Sequence, residues 1–292
     1  MIVICSITVT FNPDIICLEK QFLSLQNQID NAVIVDNGSQ NYNDVKELAN
    51  RFNFVLISFP VNMGLSHAQN IGIENAISRG ADYLLLLDQD SVLGANFISA
   101  MSNVYKQYNV GILGPSFYDP HTNEFYWGTN YIGPFIKRTP IEEITDVTYV
   151  IASGSFFSSE VYKKVGKMEE ALFVDYIDVE WALRAKKLGY RVAMTNQASM
   201  AHTIGDARLN LLGRKISIHS PMRRYFLVRN SFFMIRKPYI PVGYKVREVF
   251  LNFARAAISL MLNKEKKKTL MMICYGITDG LSGRFGPFNR NL

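Results

Sequence analysis

The chain has 292 residues, 48% of them hydrophobic and 19% charged, which supplies ample material for a large core and excludes a disordered or fibrous protein. Its 31 Lys and Arg against 25 Asp and Glu leave a net charge of +6, which points to an anionic partner: a nucleotide diphosphate, a lipid phosphate, a membrane surface or nucleic acid. Cys5, Cys17 and Cys274 show neither CxxC spacing nor a disulfide framework, so a zinc site is excluded and a reducing, cytoplasmic setting is expected. Residues 1–10 lack a basic leader and a cleavage site and are expected to form a first strand, not a signal peptide. No uncharged apolar stretch reaches the roughly 18 residues of a spanning helix.

From residue 2 to about residue 118, strand-like and helix-like periods alternate. Strands are predicted at 2–10, 32–35, 54–59, 83–87 and 111–115, and helices at 15–28, 43–51, 66–78 and 96–108. This βαβα order implies an α/β fold with a Rossmann-like, mostly parallel sheet and flanking helices. Residues 117–144, interrupted by Gly128, Gly133, Pro134 and Pro140, are expected to be an irregular loop or a short antiparallel insertion. The block 148–195 is predicted to hold a strand to Ser153, helices near 159–165 and 179–188, and a strand at 190–195, with Gly189 as the left-handed residue after the second helix. Beyond His202 the pattern becomes helical, at 219–235, 242–262 and 266–281. A domain at 1–235 followed by a helical C-terminal extension at 236–292 is expected.

The chemistry centres on residues 82–91, where four consecutive leucines end in Asp88 and Asp90. Such a run suits a strand buried on both faces, and ligands of open α/β sheets bind at the carboxyl ends of their strands. Two carboxylates in one crevice are costly unless a cation or hydrogen-bond donors compensate, and a divalent cation carrying a diphosphate would do so. Aspartates capping the next helix would look the same. The first strand ends in Thr8-Val9-Thr10-Phe11-Asn12-Pro13 and the second in Asp36-Asn37-Gly38-Ser39, which delivers polar groups to the same edge. Phe11 offers a ring face to a base, and Asp36 an acceptor for a pyrimidine imide N–H. A simple βα turn accounts equally for Asp36 to Ser39. Gly64, directly before a predicted helix, permits close approach of an anion to the first-turn N–H groups. His67 reads as a surface or partly buried histidine.

Taken together, TxTFNP, DNGS, NxGxxxAxNxGI and LLLLDQD, in this order and spacing, resemble a family-2 glycosyltransferase with the GT-A fold. Ala152 to Ser155, and the later Phe173, Asp175, Asp178, Glu180, Trp181 and Arg184, resemble the acceptor side of that family. The DxEW form, His202 to Gly205, and Arg223, Arg224, Tyr225, Arg229 and Asn230 are most similar to bacterial rhamnosyltransferases of surface-polysaccharide and cell-wall synthesis. The resemblance covers about residues 3–235. It implies that Thr10, Phe11 and Asp36 hold the nucleobase, that Asn62, Gly64 and Asn70 lie near the ribose and phosphates, and that Asp88 contacts the ribose. It further implies that Asp90 ligates Mg²⁺ or Mn²⁺, with His202 a candidate second ligand, and that Asp178 is the general base. Gln69 stands where many relatives carry arginine, which leaves one phosphate contact unassigned. Asp178 reads equally as a helix N-cap, Trp181 as an acceptor platform or a core residue, and Asp175 and Glu180 as orienting groups.

The implied reaction is inverting, metal-dependent transfer of a sugar, foremost rhamnose, from a dTDP- or UDP-linked donor to a polysaccharide or polyprenyl-linked saccharide. No nucleic-acid role is implied. A sugar nucleotidyltransferase would normally carry a Gly-rich, Arg-containing loop after its first strand, where Thr10 to Pro13 stand here. A non-catalytic nucleotide-sugar-binding scaffold is the third reading. Arg223, Arg224, Arg229 and Lys237 would grip a pyrophosphate, of donor or acceptor, or form the solvated face of a helix. The helix at 242–262, apolar on one face and followed by Lys264, Lys266, Lys267 and Lys268, suits a peripheral contact with anionic lipid, a homo-oligomer interface, or the core.

Overall fold

A computed structural model of the chain describes residues 2–202, 208–211, 214–217 and 219–290. The elements run β1 (Ile4–Thr10), α1 (Ile15–Leu25), β2 (Asn31–Asp36), α2 (Tyr42–Arg51), β3 (Val55–Ser58), α3 (Leu65–Ser78), β4 (Tyr83–Asp88), β5 (Val92–Leu93), α4 (Phe97–Gln107) and β6 (Ile112–Tyr118). Next come β7 (Gly128–Ile132), β8 (Phe135–Thr139), β9 (Thr145–Asp146), β10 (Phe156–Ser158), α5 (Ser159–Val165), α6 (Ile177–Lys187) and β11 (Val192–Ala201). The chain continues with β12 (Arg208–Leu211), β13 (Arg214–Ser217), α7 (Pro221–Arg236), α8 (Val242–Leu262) and α9 (Lys266–Ser282). It divides into two compact units: Met1–Asn130 with Arg138–Glu170 and Ile177–Thr203, and Tyr131–Lys137 with Ala171–Tyr176 and Ile204–Leu292.

The first unit is built on a mixed sheet of order β3-β2-β1-β4-β10-β6-β11-β5, with β9 also paired to β11. The strands β3, β2, β1 and β4 are parallel, as the alternating pattern requires. Asp14 starts α1 by accepting hydrogen bonds from the N–H groups of Ile16 and Cys17. Leu18, Phe22, Val45, Leu48 and Ala49 of the first two helices close over Ile34 of β2. Helix α3 lies so near the sheet that a Cβ on Gly72 would stand 2.4 Å from Ile7 Cγ2.

Three expectations need correction. The strand ending at Ser153 does not form: its β-branched run finds no ladder, because the chain turns at Ala152–Ser155, where Ser155 N–H donates to the Ala152 carbonyl. The strand is instead β10, antiparallel between β4 and β6. The strand expected to end at Thr195 runs on through a bulge between Thr195 and Ser199 to Ala201, along β6. The stretch after His202 is not helical from the outset, because β12 and β13 pair as a hairpin ahead of α7. Within 117–144 the antiparallel alternative is the one that forms, as the β7–β8 pair.

In the second unit, α7 packs on α9 through Tyr225, Phe226 and Met272, joined by Phe173, Tyr275 and Phe288. Ser220 caps α7, and Pro221 occupies its first turn. The segment 171–176 holds three non-glycine residues at positive φ: Phe173, Asp175 and Tyr176. Such a run is strained and persists only where its surroundings over-determine it. Here Asn230 Nδ2 donates to the carbonyls of Leu172 (2.8 Å) and Val174 (2.7 Å), Phe173 stacks on Phe226, and Tyr176 OH donates to Glu248 Oε2 at 2.6 Å.

Because Ile7 and Val35 leave no room at Gly72, Gly72→Ala should destabilise the chain by about 1–3 kcal/mol. The expected sign is a lower urea midpoint with an unchanged slope. A wild-type midpoint would mean that α3 stands further from the sheet.

Candidate active site

The strand order reverses at β1, which has β2 on one side and β4 on the other, and the crevice beyond their carboxyl ends is the natural ligand site of an open α/β sheet. Register sets Thr10 beside Asp36 and Val9 beside Asp88. Thr10 Oγ1 donates to Asp36 Oδ1 at 2.9 Å, and Ser39 N–H donates to Asp36 Oδ2 at 3.0 Å, so the buried carboxylate is held at the sheet edge by two donors. Gly38, at φ +84°, makes this turn possible, since a Cβ there would stand 2.6 Å from the Val61 carbonyl carbon. Phe11 remains 45% exposed, and its N–H is held by Gln89 Oε1 at 2.8 Å.

Asn62 closes the next turn, its Oδ1 accepting from Gly64 N–H at 2.9 Å and Asn37 Nδ2 at 3.2 Å, and Gly64 is the N-cap of α3. Asn70 departs from its expected place near the phosphates. It is buried, and its amide is fully engaged: Nδ2 donates to Met168 O and Glu170 Oε1, both at 2.9 Å, while Oδ1 accepts from Met168 N–H and Tyr162 OH. Its work is to pin α3 to the 168–170 segment. His67 joins the same pin, with Nδ1 2.9 Å from Glu170 Oε2.

Asp88 and Asp90 are each about 40% exposed at the mouth of β4, and the strand extension at β11 brings buried His202 to them. His202 Nδ1 lies 3.2 Å from Asp90 Oδ1, and Nε2 lies 3.7 Å from Asp88 Oδ2. Burial alone would lower the imidazole pKa; the hydrogen bond to Asp90 and the two carboxylate charges outweigh it and hold the pKa above the ordinary histidine value. Ser91 and Ser153 lay in stretches singled out from sequence but without a role of their own. Ser91 Oγ lies 3.1 Å from His202 Nδ1 and 2.6 Å from Ser153 Oγ, and Ser153 Oγ accepts from Asp88 N–H at 3.1 Å. The signals were the adjacency of Ser91 to the acidic pair and the place of Ser153 in the Ala152–Ser155 motif.

Among the described residues, no three His, Cys, Asp or Glu side chains form a ready-made metal cage. The donor set nevertheless fits Mg²⁺ or Mn²⁺, which use one or two carboxylates and complete their shells with water and substrate phosphates. Half-exposed Asp88 and Asp90 match that demand.

Asp178 lies inside the first turn of α6, not ahead of it, so it is not the helix N-cap; its Oδ1 accepts from Val179 N–H at 2.8 Å. With Gln69, Leu86, Ala152 and Ser155 it lines a cavity of about 10 Å³. Gln69 is buried there, and its Oε1 has no protein partner. Glu180 is spent on Arg184, through contacts of 2.9 and 2.8 Å. Trp181 is a core residue, packed on Phe157 and donating to Gly166 O, and so is no platform for a sugar.

The arginines of α7 also separate. Arg223 pairs with Asp175, Nη2 to Oδ1 at 3.0 Å. Arg229 cannot grip a pyrophosphate: it is wholly buried, donating to Gly286 O, Ala171 O, Leu172 O and Asn230 Oδ1. Thr203 to Gly205, singled out with His202, lie outside the described residues.

Comparison with known proteins bears on this site. The family model described as "Glycosyl transferase family 2" matches residues 6–166. The dTDP-rhamnosyl transferase RfbF of Shigella flexneri is 34% identical over 292 residues, 97% of each chain. Among solved structures, GalNAc-T7, crystallised with UDP, GalNAc and Mn²⁺, aligns over 96% of this chain and 58% of its own at TM-score 0.59 and 15% identity. TarS of S. aureus aligns over 96% and 49% at TM-score 0.60 and 13% identity. The chain spans about half the length of these two structures, and the likeness establishes the GT-A fold. With its βα order, its acidic strand end and a relative matched from end to end, the chain belongs to glycosyl transferase family 2.

Proposed function

We propose that this glycosyltransferase moves L-rhamnose from dTDP-rhamnose to a saccharide acceptor, with inversion at the anomeric carbon. The observation that carries the reading is the Asp88–Asp90–His202 group at the β1/β4 crevice, in a chain similar over its whole length to a dTDP-rhamnosyl transferase. Phe11 and Asp36 suit a thymine, the ring by its exposed face and the carboxylate as acceptor for the imide N–H. Asp90 and His202, with Asp88 beside them, would hold a divalent cation, which supplies charge neutralisation for the departing diphosphate. Asp178 is the base: it takes the proton of the acceptor hydroxyl as that oxygen bonds to the anomeric carbon and the bond to the diphosphate breaks.

A saccharide carried on lipid suits the second unit. Helix α8 is inside out: Tyr244, Arg247, Glu248 and Ser259 are its buried residues, while Val242, Val246, Val249, Phe250 (71% exposed), Phe253 (73%) and Met261 face outward along one stripe. Charge is also segregated along the chain. Residues 204–292 carry 17 Lys and Arg against 4 Asp and Glu, a net of +13, whereas residues 1–203 carry 14 against 21, a net of −7. An anionic bilayer answers both the apolar stripe and the positive charge. Among the described residues, no helix is long and apolar enough to cross a membrane, so the contact is peripheral.

Three experiments test this reading. Asp90→Ala should abolish Mn²⁺-dependent dTDP binding in calorimetry; unchanged affinity would sink the metal assignment. Asp178→Asn keeps an oxygen for the Val179 N–H and should preserve melting temperature and donor affinity, while turnover falls about 10²- to 10⁴-fold. Near-wild-type transfer would remove Asp178 from the mechanism. The protein should co-sediment with phosphatidylglycerol vesicles and not with phosphatidylcholine vesicles, and Phe250→Ser with Phe253→Ser should release it. Indifference to lipid charge, or a lipid-free dimer broken by the same pair, would give the stripe to another partner.

A further inference from the structure

The second unit contains a buried arginine that leaves two of its nitrogens without a hydrogen-bond partner. Arg224, in the first turn of α7, is 4% exposed, and its Nε and Nη1 are buried without a hydrogen-bond partner. The other buried arginines of the unit have more partners, though Arg247 Nε also lacks one. Arg229 donates to three carbonyls and lies over the Phe226 ring, and Arg247 donates to Glu248 and lies 4.1 Å from the Tyr131 ring centroid. The acids around Arg224 are already engaged. Asp175 accepts from Arg223 Nε and Nη2, while Glu248 accepts from Arg247 Nη2 at 2.8 Å and Tyr176 OH at 2.6 Å, with Arg255 Nη1 at 3.6 Å. The two carboxylates nearest the cluster, Asp175 and Glu248, are thus each already held by other arginines.

A buried guanidinium with two of its three nitrogens unpartnered is among the costlier states of a protein interior, and a bound ion is one thing that explains such a group. Burial foremost, then the charges of Arg255 and Arg223, push the Arg224 guanidinium down to about 10. An anion would offset both influences. The N-terminus of α7, capped by Ser220, adds its partial positive charge to the same end of the helix. The side chains of Arg223 and Arg255 are 36% and 41% exposed, so the cluster opens to solvent past them, with Arg224 at the inner end.

We propose that Arg224, with Arg223 and Arg255 on its outer side, forms a binding site for a phosphate or diphosphate ester. A phosphate carries up to two charges and offers enough oxygens for several guanidinium forks, more than a single carboxylate supplies. The site stands on the geometry of the second unit alone. It rests on the rhamnosyl-transfer reading only for the source of the phosphate, a nucleotide donor or a lipid-borne acceptor.

The test uses the full chain in EDTA, which removes the divalent ions that Asp90 would need to hold a diphosphate. Inorganic pyrophosphate should raise the melting temperature of the wild type and of Asp90→Asn alike. Arg224→Met should melt no lower than the wild type without ligand, because it removes an unpaired charge, and should lose the pyrophosphate response, with affinity about tenfold to a hundredfold weaker. Arg255→Gln, at a half-exposed position, should weaken binding in the same direction and covers the case of an Arg224 variant that fails to fold. Two further arms separate the sources: a dTDP response equal to that of pyrophosphate assigns the site to the donor, and retention on phosphatidylcholine vesicles doped with farnesyl diphosphate, but not on undoped ones, assigns it to a lipid. No wild-type response, or an undiminished response in both arginine variants, overturns the proposal. A response lost in Asp90→Asn would return the anion to the β1/β4 crevice and overturn it too, while leaving the transfer reading intact.

Discussion

The parallel pairing of β1 with β4 is the constraint on which the rest of the first unit depends. The register that sets Val9 beside Asp88 also carries Thr10 to the edge where the acidic pair begins, and the pairing of β1 with β2 brings Asp36 alongside. Three chain segments far apart in sequence thereby end in one crevice. Because the three strands are buried, their apolar runs bear the cost of assembling polar ends that would not gather by themselves. A slip of a single residue would reverse every side chain of β1 and bury the wrong set.

Around that crevice much of the polar chemistry is support. Asn70 looks like a substrate contact in one dimension, yet all its hydrogen-bonding capacity goes to Met168, Glu170 and Tyr162. Ser91 and Ser153 have the complementary character, since they are small, plain in sequence, and placed to orient Asp88 and His202. The groups that keep a half-exposed oxygen are Asp88 and Asp90, whose partner His202 holds its proton more tightly because of them.

The sheet was legible because buried parallel strands announce themselves as short unbroken apolar runs, and the helices because Asp14, Ser158 and Ser220 mark their starts. Helix α8 was legible to the residue. What escaped depended on contacts distant in sequence. The run before Ser153 has strand-forming residues but builds no continuous ladder, its Thr148 N–H donating singly to the Thr129 carbonyl, and laddered pairing, not propensity, makes a strand. The bulge that extends β11 to His202 is fixed by β6. Burial decided the arginines of α7: Arg223, Arg224 and Arg229 read as one basic group in sequence, yet the fold sends Arg229 to carbonyl oxygens and Arg223 to Asp175, and leaves Arg224 Nε and Nη1 buried without a hydrogen bond.

The strained segment 171–176 has a consequence for how such a protein can change over time. It belongs to the second unit although it lies in the chain between α5 and α6, both elements of the first, and its carbonyls are held by Arg229 and Asn230 from more than fifty residues downstream. The two units therefore exchange pieces of backbone and do not follow one another along the gene. A recombination event that grafted residues after 203 onto another catalytic body would separate Arg229 from Ala171 and Leu172, leaving three left-handed residues with nothing to keep them so. The C-terminal helices are thus poor cassettes for shuffling. Novelty in this architecture is confined to point substitution, above all on the outward face of α8, where no partner within the chain would register the change.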